Sequence, residues 1–289
     1  MAHGFAFVAE PLDRADELRR DVAKLDALRA HARCLWLDAH GQVAVDGEGR
    51  LLAGAGAPAD AVFLGRRGDE AWFAASRGHA FNDDEARIHL RSAALQWPAF
   101  ESTLFAQARA MLHWRATHRF CPACGNALAY SQGGWQGDCG GCGRVEYPRT
   151  DPAVIVAVGD GERLLLGRQA TWPAKRYSTL AGFVEPGESL ETAIQREVWE
   201  ESRVRVRRSR YLASQPWPFP GSLMLGFIAD AEGDAPETAQ DELEDARWFT
   251  RQEVQAALRE DREDAPLRLS PPMSISRWLI ERWAAGERA

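Results

Sequence analysis

Four cysteines near the middle of the chain limit its folding more than any other feature. Cys121-x2-Cys124 and Cys139-x2-Cys142 are separated by 14 residues, with Gly125, Gly140, Gly141 and Gly143 crowded around them. Glycine lets the backbone turn so that its amides face thiolate sulfurs. Four thiolates at this spacing suit tetrahedral Zn²⁺ in a closed structural site. The rival reading is two disulfides, which a cytosolic compartment disfavours. Cys34 stands alone in RCLWL and reads as a small buried hydrophobe.

The compartment follows from what surrounds the cysteines. The N-terminal run MAHGFAFVAEPLDRADELRR lacks the basic start and long apolar core of a signal peptide. No apolar run approaches the roughly 20 residues of a membrane span, so a cytoplasmic protein away from membranes is expected. A hydrophobic content of 45% with 27% charged residues is that of a soluble globular chain. Its 289 residues allow one large domain or two to three small ones. The net charge of −7 excludes a surface that traps nucleic acid as a whole, but leaves a local basic groove open.

The spacing of Leu18, Val22, Leu25 and Leu28 predicts an amphipathic helix from Asp13 to about His31. The short runs CLWL, QVAVD, AVFLG and EAWFAA, broken by Gly, Asp and Pro, predict a small sheet. A helix is expected from about Ala99 to His118. These elements suggest an α+β domain over 1–119 with no catalytic motif; His79 and His89 read as surface or packing residues. The cysteine module occupies 120–147 and passes through YPRTDP into AVIVAV and RLLLGRQ, both strand-like. Further strands at RVRRSRYLAS, LMLGFIADA and DARWFT, with helices at about 251–259 and 274–284, predict an α/β sandwich over 148–289.

The chemistry sits between those strands. GFVEPGE, from Gly182 to Glu188, is followed after seven residues by REVWEE, from Arg196 to Glu201. Ser189 is a competent N-cap for the intervening helix. Glu197, Glu200 and Glu201 are then at i, i+3 and i+4, with their carboxylates on one face. They also lie near the helix C-terminus, where the macrodipole disfavours negative charge. Both penalties are small, a few tenths of a kcal/mol each, and a divalent cation removes both. A solvated acidic face offset by Arg196, Arg203 and Arg205 is the plain alternative.

The loop and helix together resemble the Nudix box, G-x5-E-x7-R-E-U-x-E-E-x-G-U. Gly182, Glu188, Arg196, Glu197, Val198, Glu200, Glu201 and Val204 match it, while Arg203 stands where that family has glycine. The family glycine usually permits a left-handed turn, and arginine there costs about 1 kcal/mol if the turn is kept. The resemblance implies a metal-dependent hydrolase of nucleoside diphosphate derivatives, with Mg²⁺ or Mn²⁺. It implies Glu197, Glu200 and Glu201 as ligands, Arg196 as the residue that orients them, and the Ala181 backbone as a further contact. A later acidic loop often adds a carboxylate. In QDELEDARW that residue is Glu242.

Beyond the next strand lies SQPWPFPGS, where three prolines alternate with two aromatics. Proline fixes φ and removes a donor, so this is neither helix interior nor paired central strand, and it should hold Trp217 and Phe219 on a stiff, extended rail. The array resembles that of NADH pyrophosphatases, also regarded as NAD-cap-removing RNA hydrolases, whose four-cysteine ribbon precedes a Nudix domain as here. By that resemblance the segment Gln215, Pro216, Trp217, Pro218, Phe219, Pro220, Gly221 and Ser222 contacts substrate, with Gln215 and Ser222 bonding ribose or phosphate. A base–aromatic stack is worth about 1–3 kcal/mol. A proline-stiffened edge strand with Trp217 packed in an interface is the structural alternative. The resemblance further implies that Phe183 and Tyr147 sandwich the nicotinamide, with the tyrosine coming from the second subunit of a homodimer. It also places the Ser276 backbone, in PPMSISR, at the adenine.

The expected function is hydrolysis of NADH or NAD⁺ to nicotinamide mononucleotide and AMP, and removal of NAD caps from RNA. Alternatives are another Nudix substrate such as ADP-ribose, or a zinc ribbon that binds RNA on a dead Nudix fold. For RNA, Arg144, Arg149 and the cluster Arg203, Arg205, Arg207, Arg208 and Arg210 are the candidate basic approach.

Overall fold

The structure is a computed structural model that describes residues 4–8, 12–77, 86–238, 242–260, 262 and 264–289. The chain forms two compact units. One comprises the N-terminal segment to Phe5, Asp151–Pro216 and Ser222–Ala289; the other comprises Ala6–Thr150 and Trp217–Gly221. Among the described residues no helix is long and apolar enough to cross a membrane.

In the unit that carries the loop and helix, a mixed sheet runs in the order Val206–Trp217, Ser222–Ala231, Asp151–Gly159, Arg163–Arg168, Asp245–Thr250, with Leu180–Phe183 also paired to Asp151–Gly159. Asp151–Gly159 and Ser222–Ala231 are parallel; Asp151–Gly159 is antiparallel to Arg163–Arg168 and to Leu180–Phe183. Strand side chains alternate between faces. Val154, Val156 and Val158 therefore share one face, where they pack with Ala193, Ile194 and Val198 of the Leu190–Ser202 helix. The opposite face takes the Ile275–Ala284 helix: a Cβ on Gly226 would lie 2.7 Å from Ile275 Cδ1, and one on Gly159 would lie 2.6 Å from Trp283 Nε1. The result is the expected α/β/α sandwich. Thr250 opens the Arg251–Arg259 helix with a capping box to Glu253.

In the other unit, Arg33–Leu37 pairs parallel with Glu70–Ser76 at the centre of a sheet that includes Val62–Arg67, Val43–Ala44 and Arg87–Ile88. Cys34, Phe63 and Phe73 are fully buried there. Burial pushes the Cys34 thiol up to about 12, which makes it the inert hydrophobe expected. The Ala99–Thr117 helix buries Leu104, Phe105, Ala108 and Met111. The helix expected over 13–31 is instead two, Asp16–Arg19 and Val22–Arg29, because the Asp21 carboxylate accepts from Lys24 N and caps a second start. A helix at Leu90–Gln96 was not anticipated. His89 precedes it at the N-cap, and His79 lies outside the described residues.

The cysteine module belongs to this same unit. Leu128–Ser131, Gln136–Cys139 and Val145–Glu146 form a three-stranded antiparallel sheet. Trp135 donates its indole N–H to Phe63 O at 2.7 Å, under the Arg19 guanidinium at 4.0 Å from the ring.

Candidate active site

Ser189 accepts from Thr192 N and starts the Leu190–Ser202 helix where the sequence placed it. The loop before it is closed by Glu188, which accepts from Glu185 N at 2.7 Å, and Gly187 takes φ 93°. A positive φ of that kind is routine only for glycine. Gly182 is required for another reason. A Cβ there would fall 1.8 Å from the Glu197 carboxyl carbon, so the bare backbone makes the room the carboxylate occupies.

Arg196 organises the acids. Its guanidinium donates to Glu188 at 2.6 Å, Glu197 at 2.9 Å, Glu200 at 2.9 Å and Phe183 O at 2.9 Å. These contacts hold its pKa above the usual arginine value, the Glu188 bond first, while the same bond lowers the Glu188 carboxyl. No role was assigned to Glu188 from the sequence. Its place in the box was the available signal, and its work is to brace the arginine.

The three glutamates differ sharply in environment. Glu200 is about half exposed, with 51% side-chain exposure, Glu197 has 13%, and the Glu201 residue is 7% exposed. Burial raises the Glu197 carboxyl above its ordinary range, against the pull of Arg196. Burial, then the charges of Glu197 and Glu242, push Glu201 up to about 8, and a backbone hydrogen bond from Ala181 only partly counters this. Glu201 Oε2 is buried without a hydrogen-bond partner. Isolated buried carboxylate is unfavourable unless paired or metal-bound. The site thus presents a bare carboxylate oxygen beside two further carboxylates, a donor set of hard oxygens that fits Mg²⁺ or Mn²⁺. Glu242 is exposed, and its charge acts on both Glu197 and Glu201. Gln240 and Asp241, ahead of it in the acidic run, lie outside the described residues.

The cysteines form the metal-ready cluster found among the described residues. All four sulfurs lie within 4.8 Å of one another, with Cys121–Cys142 at 3.6 Å, Cys124–Cys139 at 3.3 Å and Cys139–Cys142 at 3.6 Å. Tetrahedral Zn²⁺ with 2.3 Å bonds would set sulfurs about 3.8 Å apart, whereas a disulfide needs about 2.05 Å. The disulfide alternative is therefore set aside: all five cysteines are free thiols. Gly125 N donates to Cys121 O and Gly143 N to Cys139 O, each at 2.9 Å, the tight turns anticipated from the glycines.

The proline-aromatic segment is not an extended rail. Gln215, Pro216 and Trp217 end an edge strand, where proline is tolerated, and Pro218–Gly221 is a turn leading to Ser222, which opens the next strand. Within the Ala6–Thr150 and Trp217–Gly221 unit, Trp217 meets Phe219 edge-on at 5.1 Å and Phe7 at 6.5 Å. Arg91 lies 4.1 Å from the Phe219 ring centre, and Arg109 donates to Pro218 O at 3.2 Å. The two rings have intramolecular partners, in line with the packed-interface alternative. Gln215, expected at ribose or phosphate, lies inside the unit that carries the glutamate helix. Its side chain is fully buried, with the amide nitrogen donating to Met273 O and the amide oxygen accepting from Ile275 N, both at 2.8 Å. Ser276 is 3% exposed, and its hydroxyl contacts Ser178 Oγ at 2.8 Å, Thr179 Oγ1 at 2.9 Å and Thr179 N at 3.2 Å. Phe183 and Tyr147, at 59% and 64% exposure, are open aromatics, each in its own unit.

The candidate basic approach is largely neutralised. Arg205 pairs with Glu232 and Asp234, Arg207 with Glu232, Arg208 with Asp230, Arg210 with Glu287 and Arg144 with Glu146. Arg203 closes the glutamate helix in a left-handed conformation, φ 59°, ψ 13°.

Comparison with known proteins matches three families along the chain. The NADH pyrophosphatase-like rudimentary NUDIX domain matches residues 26–114, the NADH pyrophosphatase zinc ribbon domain 116–147, and the NUDIX domain 148–269. The first gives a family to the N-terminal region, where no motif was legible. The NAD-capped RNA hydrolase NudC of Mycobacterium bovis is 40% identical over 292 residues, covering 95% of this chain and 93% of that protein. The human NAD-capped RNA hydrolase NUDT12 is 42% identical over 201 residues, covering 66% of this chain and 43% of that protein.

Proposed function

Because the chain belongs to the Nudix family, in the branch that joins a NADH pyrophosphatase zinc ribbon to the Nudix domain, we propose that it hydrolyses the pyrophosphate bond of NAD(H). Water adds to one phosphorus and the bridging P–O bond breaks, giving nicotinamide mononucleotide and AMP. The same cleavage on NAD-capped RNA leaves a 5′-monophosphate end. The observation that carries the chemistry is Glu201, buried, with a bare oxygen and a proton affinity far above that of an ordinary glutamate.

Glu197, Glu200 and Glu201, with the Ala181 backbone and Glu242, would hold Mg²⁺ or Mn²⁺. A bound cation of this kind neutralises charge on the diphosphate and lowers the pKa of the attacking water. The chain's own work is positional. Arg196 fixes Glu197 and Glu200 and ties them to the Phe183 carbonyl, so the metal-facing acids and an exposed aromatic share one brace. Phe183 and a Tyr147 from a second copy would enclose the nicotinamide, which makes the working form a homodimer. Cys121, Cys124, Cys139 and Cys142 would hold Zn²⁺ as a structural ion. The test is product analysis: NADH with Mn²⁺ should yield equimolar reduced nicotinamide mononucleotide and AMP. Cleavage of ADP-ribose with NADH left intact would overturn the assignment.

A further inference from the structure

Two arginines in the Nudix unit stand apart from the others. Arg176–Tyr177 pairs parallel with Arg268–Leu269, in register Arg176 with Arg268 and Tyr177 with Leu269. Side chains at matched positions of neighbouring strands point to the same face, and like charges directly opposite repel. Tyr177 and Leu269 are buried on the other face, and the arginines are half-buried. The Nε atoms of both arginines are buried without a hydrogen-bond partner, and among the described residues neither guanidinium has an ion pair. Most arginines of this unit meet a carboxylate, as Arg205, Arg208 and Arg210 do. Of the described acids ahead of Arg268, Glu260 and Asp264 both pair with Arg262. Lys175, next in sequence, adds a third cation, its ammonium donating to Asp264 O at 3.2 Å.

Two arginines at matched strand positions, with buried Nε atoms and no ion pair among the described residues, are unfavourable by themselves. A tetrahedral anion would relieve both penalties, since guanidinium presents paired donors that match phosphate oxygens. The place in the fold indicates which phosphate. Ser178, two residues on from Arg176, hydrogen-bonds Ser276 through its hydroxyl at 2.8 Å. Ala181, whose backbone bonds Glu201, is five residues on, at most about 18 Å from Arg176 along an extended chain. In a capped RNA the strand leaves the adenosine ribose as a run of phosphodiesters, so backbone phosphates follow within that reach.

We propose that Arg176 and Arg268 form a phosphate-binding pair that grips the RNA backbone just downstream of the cap, a subsite that free dinucleotide does not use. This rests on the cap-removal reading above. The test compares wild type and Arg176→Ala/Arg268→Ala on two substrates, NADH and a 5′-NAD-capped RNA 20-mer, over a salt series. For capped RNA, kcat/KM should fall about tenfold or more at low salt, and the slope of log kcat/KM against log salt should flatten by about 1.4, or 0.7 for each phosphate released. NADH turnover should stay within about twofold, which also reports that the variant folds. Arg176→Lys/Arg268→Lys should keep most of the salt slope while losing part of the rate. Equal losses on both substrates, or no loss on RNA, would overturn the pair as an RNA subsite. Wild-type protein that cleaves neither substrate would instead remove the functional reading itself.

Discussion

The cysteine module and the glutamate helix are both suited to metal, and they are built in opposite ways. The four sulfurs already stand at 3.3–3.6 Å along three of their edges, on turns held by backbone bonds. The glutamates are tied instead to Arg196, and the one acid without that tie, Glu201, is buried with a bare oxygen. The first arrangement has all four protein ligands and room for nothing else, as structural sites do. The second is tense without its ion and keeps mixed partners, as a site must if an ion is to hold substrate as well as protein. Preassembly buys stability in one place, and its absence leaves reactivity in the other.

The largest test of that contrast is removal of one sulfur. Structural zinc in small modules carries about 10–16 kcal/mol of apparent binding energy, which is also folding energy. Cys121→Ser should therefore release zinc, expose 120–147 to limited proteolysis and lower the melting temperature. Metal analysis that shows zinc lost with melting unchanged would erase the distinction. Next in size is the bare acid. Glu201→Gln should cut kcat/KM by about 10³-fold, since metal-borne charge stabilisation is worth several kcal/mol, while zinc content stays constant.

The same variant carries a pH signature. Without Mg²⁺ or Mn²⁺, native Glu201 keeps its proton up to about 8, whereas an unfolded glutamate loses it near about 4.3. Between those values the native state binds more protons than the unfolded one, so stability falls as pH rises. Melting of the zinc-loaded protein, freed of the other cations, should decline from pH 5 to 8. Glu201→Gln should flatten that decline and melt above wild type at pH 8. Mn²⁺ should raise wild-type melting more at pH 8 than at pH 5.5. A flat wild-type profile would show that the helix is not tense.

The two aromatic groups sharpen the comparison at a smaller scale. Trp217 is half-buried and has Phe7, Phe219 and Arg91 against it, so Trp217→Ala should destabilise by about 2 kcal/mol. Phe183 is open, so Phe183→Ala should leave melting almost unchanged and raise KM for NADH about tenfold, the worth of one stack. Paired melting and kinetic measurements separate these outcomes.

What was legible in the sequence follows the range of the interactions that decide it. The Ser189 cap, the helix spacing of the glutamates and the cysteine turns are local, and each was readable from a few adjacent residues. The break at Asp21 was also local, but the hydrophobic periodicity of Leu18, Val22, Leu25 and Leu28 masked it. The burial of Gln215 and the turn in the proline-aromatic segment were not legible because their partners are distant in sequence: Met273 and Ile275 for Gln215, Phe7, Arg91 and Arg109 for the turn. The arginine-rich edge strand was unreadable for the same reason, its counter-charges lying on Ser222–Ala231 and beyond. Glu201 could be named from the motif, but its burial required the sheet beneath it.

The smallest expected effect concerns the one departure from the Nudix box. Arg203 does adopt the left-handed conformation that glycine usually supplies, at φ 59°. For an L-residue this costs about 1–2 kcal/mol. Part of that is offset: Arg203 N donates to Trp199 O at 2.8 Å, and the guanidinium lies 5.7 Å from the centre of the half-exposed Trp199 ring. Glycine would keep the backbone bond, relieve the strain and forfeit the ring contact, while giving the unfolded chain more freedom. The balance predicts that Arg203→Gly stabilises by about 0.5–1 kcal/mol in denaturant melts, with kcat unchanged because the carboxylates lie on the preceding turn. A neutral or destabilising result would mean that the Arg203–Trp199 contact outweighs the strain, and that the glutamate helix ends on a side chain that does the work a bare glycine backbone could do.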